Sequence, residues 1–78
     1  MATTIYFEKD IPTTNDHAEA VHDQMALAEL YVSDFSGKDR LYVHLTDCKK
    51  NKISMLLDKE TALAFKAGLD DAMAFLEY

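Results

Sequence analysis

Asp16-His17-Ala18-Glu19-Ala20-Val21-His22-Asp23-Gln24-Met25-Ala26 is the stretch on which the fold turns. Asp16 followed three residues later by Glu19 has the form of a capping box, in which side-chain oxygens satisfy the first free amides of a helix. Ala18, Val21 and Met25 then recur at helical spacing, which predicts a short helix over about 17–26. Ala28 still fits that stripe, but Leu27 would project onto the acidic face, so the helix is expected to stop there.

On either side the pattern is that of strands. Thr3 to Glu8 is β-branched and aromatic, with Ile5 and Phe7 alternating against Tyr6 and Glu8, and Pro12 is expected to interrupt it. Leu27 to Phe35 reads as a second strand, closed by the turn Ser36-Gly37-Lys38-Asp39. In Arg40 to Thr46, Leu41, Val43 and Leu45 alternate with Tyr42, His44 and Thr46. After the turn Asp47-Cys48-Lys49-Lys50-Asn51, the residues Ile53, Met55 and Leu57 form the inward face of a fourth strand. Asp58 is a good N-cap for a final helix over about 59–77, whose Ala62, Phe65, Leu69, Ala72, Met73 and Leu76 share one face. The expected fold is α+β: one domain over 1–78, two layers, elements in the order β-α-β-β-β-α, an antiparallel sheet with both helices on one face.

Composition narrows the function classes. A chain of 78 residues with 49% hydrophobic and 28% charged residues is balanced for folding, with room for one small core. Cys48 stands alone, so an internal disulfide and a cysteine-based zinc site are both excluded. No apolar run approaches the roughly 18 to 20 residues that cross a bilayer, and no basic-then-apolar leader is seen, so a cytoplasmic protein without membrane contact is expected. The net charge of −6 lies wholly in residues 1–36, where seven carboxylates face Lys9 alone. With no Lys or Arg between Asp10 and Gly37, direct nucleic-acid binding through that region is not expected.

Catalytic patterns are absent. Glu19, His22 and Asp23 would share one turn of the expected helix, but a single imidazole is too few for a metal centre. Cys48 lies beside Lys49 and Lys50 without a base fixed nearby, and His44 has no partner in the sequence. Gly37 and Gly68 are the only glycines, so no phosphate loop exists. No catalytic residue, metal ligand or cofactor is therefore assigned. Residues 16–77 resemble a double-stranded-RNA-binding domain in element order, yet Asp58-Lys59-Glu60-Thr61 stands where such domains carry basic residues.

Three features point to binding. The outer sheet face is expected to carry Tyr6, Leu27, Tyr31, Phe35, Tyr42, His44 and Leu56, an aromatic area suited to an interface. On the last helix, Ala64 and Gly68 lie one turn apart, where close approach of another backbone would give a reason for a mid-helix glycine. These features predict a homo-oligomer. An acidic stripe of Asp16, Glu19 and Asp23, with Asp10, Glu29 and Asp34 nearby, could imitate a phosphate array and engage a protein with a basic surface. In size, acidity and lack of catalytic motifs the chain resembles the small anti-host and anti-defence proteins of phages. That resemblance implies a non-enzymatic inhibitor that occupies the basic cleft of a nucleic-acid-binding protein. The alternatives are a structural subunit of a larger assembly and a small-ligand domain around Tyr31, Tyr42 and His44.

Overall fold

The computed structural model describes residues 2–78. Four strands, β1 (Thr3–Thr14), β2 (Ala20–Ser33), β3 (Arg40–Thr46) and β4 (Lys52–Leu57), form an antiparallel meander in the order β1-β2-β3-β4. One helix, α1 (Lys59–Leu76), follows. The class is α+β, and the element order is β-β-β-β-α rather than β-α-β-β-β-α.

The expected helix over 17–26 is replaced by a hairpin, and a local hydrogen-bond competition explains why. Asn15, not Asp16, is the acceptor: its Oδ1 takes bonds from the amides of His17 at 2.9 Å and Glu19 at 3.1 Å. The amide of Asn15 donates to the carbonyl of Glu19 at 3.0 Å, so the chain reverses within five residues. Ala18 completes the reversal in the left-handed region at φ 60. An oxygen placed before free amides serves a tight turn as readily as a helix start. From Ala20 onward, pairing with β1 overrides the helix preference of the alanines, Gln24 and Met25.

Pro12 does not end the first strand. β1 is an edge strand, where a residue without an amide proton costs no ladder bond on the open side, and Pro12 sits opposite Met25. The ladder slips beside it, between Pro12 and Thr13, where the Thr13 hydroxyl donates to the Gln24 carbonyl at 2.7 Å. A second slip, between Ile5 and Phe7, leaves Tyr6 as an unpaired bulge residue.

Register sorts the side chains into two faces. Val32, Leu41 and Leu57 form one row, Leu30, Val43 and Met55 the next, and Ala28, Leu45 and Ile53 the third, all on one face. The opposite face carries the rows Tyr31, Tyr42, Leu56 and Glu29, His44, Ser54. The helix starts as expected: Asp58 Oδ1 accepts from the Thr61 amide at 2.7 Å, a bond that also holds the carboxyl below its ordinary range. At its other end Glu77 adopts the left-handed conformation, and the amides of Glu77 and Tyr78 close onto the carbonyls of Ala74 and Met73.

The helix leans on the apolar face beside β4, where Phe65 and Leu69 border Leu41, Val43 and Leu57. No other strand comes close to its backbone. Among the described residues no hydrophobic side chain is buried; the one enclosed residue is Ser33, whose hydroxyl lies 3.0 Å from that of Thr3. The molecule is flat, 43 × 32 × 17 Å, and among the described residues no helix is long and apolar enough to cross a membrane.

Candidate functional site

The sheet face away from α1 holds the most ordered group of side chains. β2 and β3 set Tyr31 opposite Tyr42, and their rings stack with centroids 5.6 Å apart and planes 25° off parallel. Phe35, just beyond β2, meets both edge-on, at 6.3 Å from Tyr31 and 5.9 Å from Tyr42. His44 lies two positions along β3 with its ring 6.4 Å from Tyr31. Such ring pairs contribute about 0.5–1.5 kcal/mol each beyond area burial, which favours this packing of the rings.

Beside the rings lies a concentration of negative charge that only the register reveals. Glu8 of β1 stands directly opposite Glu29 of β2, and the next neighbour of Glu29 across the sheet is His44. Asp10, two residues along β1 from Glu8, shares that face and stands opposite Leu27. Like charges directly opposed across a ladder are unfavourable. Strand pairing nonetheless sets the two glutamates opposite one another on this face.

The residues proposed from sequence fare unevenly. Tyr31, Phe35, Tyr42 and His44 are brought together, and Leu27 and Leu56 lie on the same face by register. Tyr6, in the bulge, is 68% exposed. Asp16, Glu19 and Asp23 share no helix face, since no helix forms there: Asp16 and Glu19 belong to the β1–β2 loop, and Asp23 lies in the irregular part of β2. Asp34 is at the far end of β2, where its Oδ1 accepts from the Ala2 amide at 2.9 Å. The acidic stripe is thus dispersed, and of that group only Glu29 of β2 and Asp10 of β1 reach the aromatic face. Of Glu8 and Asp10, sequence reasoning places the second only as a member of the acidic stripe and does not single out the first. Alternation could have placed them beside the tyrosines, but their opposition to Glu29 and Leu27 depends on a register that the bulge at Tyr6 resets.

Ala64 and Gly68 lie on α1 as expected, and a Cβ built on Gly68 would meet nothing within 4 Å. Glu19, His22 and Asp23 do not come together as one helical turn would have brought them, and among the described residues no group of three His, Cys, Asp or Glu could hold a metal ion. Cys48 is exposed in the β3–β4 loop. That loop repeats the geometry of the β1–β2 loop: Asp47 carboxylate oxygens accept from the amides of Lys49 at 2.9 Å and Asn51 at 2.8 Å, and from the Asn51 side chain at 3.1 Å. The bonds from Asn51, foremost that of its side chain, pull the Asp47 carboxyl below its ordinary range. No protein-family model, curated protein or solved structure matches the chain.

Proposed function

We propose that this chain is a non-catalytic protein-interaction module that uses its acidic, aromatic sheet face to engage a basic protein surface of the kind that otherwise binds nucleic acid. The observation that carries the reading is the Glu8–Glu29 opposition next to the Tyr31–Tyr42 stack. An arginine from such a surface can bridge paired carboxylates with its planar fork while its guanidinium lies over a tyrosine ring. The carboxylates then take the place of phosphates and the rings the place of bases. A partner cation would relieve the repulsion stored in the ladder, so binding and charge arrangement favour each other. In this reading the module is an inhibitor that competes with a nucleic acid for its target.

The test is competition. The target is captured from a lysate of the source cells at low salt, and labelled nucleic acid bound to it is titrated with the chain. Displacement that weakens as salt rises, and that is lost in Glu8→Lys and in Tyr42→Ala, is the expected result. Displacement unchanged in both variants would assign the aromatic face no part in recognition.

A further inference from the structure

We propose that a second copy of this chain completes the molecule, each protomer's α1 lying over the open half of the other's apolar sheet face. The argument begins with the number of helices a sheet this size needs. Four strands spaced about 4.8 Å apart make a surface roughly 19 Å wide, whereas a helix with its side chains is about 10 Å across. Two helices are needed to cover it, and each chain supplies one. That helix lies at the β4 side and leaves the remainder open.

What is left open is apolar across β2 to β4, with Thr4 and Lys9 of β1 the polar side chains at its margin. The three rows running from Ala28, Leu30 and Val32 across β3 to β4 contain nine side chains and not one polar atom. On the open side, Phe7 of β1 is 46% exposed and Ile11 43%, values suited to a surface that something covers. On the helix, Phe65 at 63% and Leu69 at 52% are equally unsheltered, and they border a groove of about 290 Å³ against the sheet. The other face carries Glu29 and His44 in the same strands, so the two faces are chemically unlike. The net charge of −6 is no obstacle to pairing here, because no carboxylate lies in the three rows.

The area supports a copy rather than a short peptide. The chain exposes 6461 Å². A compact protein of its 8.8 kDa exposes about 4,800 Å². The surplus of about 1,700 Å² per chain, about 3,400 Å² for a pair, falls within the 2,000–5,000 Å² that permanent dimers bury. Its radius of gyration of 14.6 Å likewise exceeds the 11–12 Å or so of a compact chain of this length. A two-fold arrangement treats both chains alike, each giving a helix and receiving one. Gly68, with open space where a Cβ would stand, lies one turn from Ala72 and beside Phe65, so the two helix backbones can approach closely.

Light scattering and sedimentation on the full chain test the stoichiometry, with an expected mass of twice 8.8 kDa and an unfolding midpoint that rises with protein concentration. A monomer that unfolds cooperatively at a concentration-independent midpoint, or an assembly of any other number, overturns the proposal. Isotope-filtered NMR on mixed labelled and unlabelled chains tests the surface, since Phe65 and Leu69 should show contacts to Phe7 and Ile11 of the other copy. Intermolecular contacts centred on Tyr31 and Tyr42 instead would overturn it, even with the mass doubled. Leu69→Asp should abolish the dimer mass, and the wild-type measurements decide the question if that variant does not fold.

Discussion

Ala18 holds a conformation that costs an L-residue about 1–2 kcal/mol, in a loop whose hydrogen bonds leave it no alternative. Glycine there removes the strain and returns about 0.5–1 kcal/mol of it as extra freedom in the unfolded chain. Ala18→Gly should therefore stabilise the fold by about 0.5–1 kcal/mol, read as a higher denaturant midpoint with an unchanged slope. Asp47 and Asp58 are residues whose folded carboxyls titrate below their ordinary value of 3.8, because amides and the Asn51 side chain bond the ionised forms. The unfolded chain then binds more protons in that window, so stability rises with pH through it. The contribution is present above about pH 4 and is lost as pH falls through the folded values. Replacing both with Asn should lower stability at neutral pH and bring the variant and wild-type curves together in acid, as acid titrations of fluorescence would show. At Glu8, exchange of one carboxylate for a cation converts a like pair into an unlike one. Glu8→Lys should stabilise the fold by about 0.2–1 kcal/mol while weakening the competition described above. Gain in stability with loss of binding identifies a site held against its own repulsion.

Elements were legible in the sequence where one signal dominated and misread where two signals shared the same residues. Leu41, Val43 and Leu45 alternate strictly, and the sheet puts them opposite Leu57, Met55 and Ile53 as the alternation requires. Asp58 could act only as a cap, and it does. The Asn15–Glu19 segment offered polar residues that serve both a turn and a helix start, and the alanines after it favour a helix in isolation. What decided between them was pairing with β1, set by Thr14, Thr13 and Pro12 opposite Ala20, Val21 and Met25, which the local pattern of the segment cannot weigh. The comparable loop at Asp47–Asn51 was recognised because clear strands flank it on both sides. The aromatic group of the candidate site was visible from alternation on β2 and β3. The arrangement of its acidic companions was not, since a bulge at Tyr6 changes which β1 residue faces which β2 residue.

At the scale of the whole molecule, the meander brings sequence neighbours together and the helix follows β4 after the single residue Asp58. Each strand pairs with the one before it, so the sheet can assemble from local contacts. β1 remains at the margin, twelve residues long and with Ile5, Phe7 and Ile11 all exposed. A straight ribbon of that composition would act as a template on which strands from other molecules could add indefinitely. The bulge at Tyr6 twists the ribbon, and the ring of Pro12 removes a donor that an incoming strand would use. Pro12→Val should leave the folded unit intact but hasten fibre growth on shaking, measured by thioflavin fluorescence, which makes the proline a guard against polymerisation.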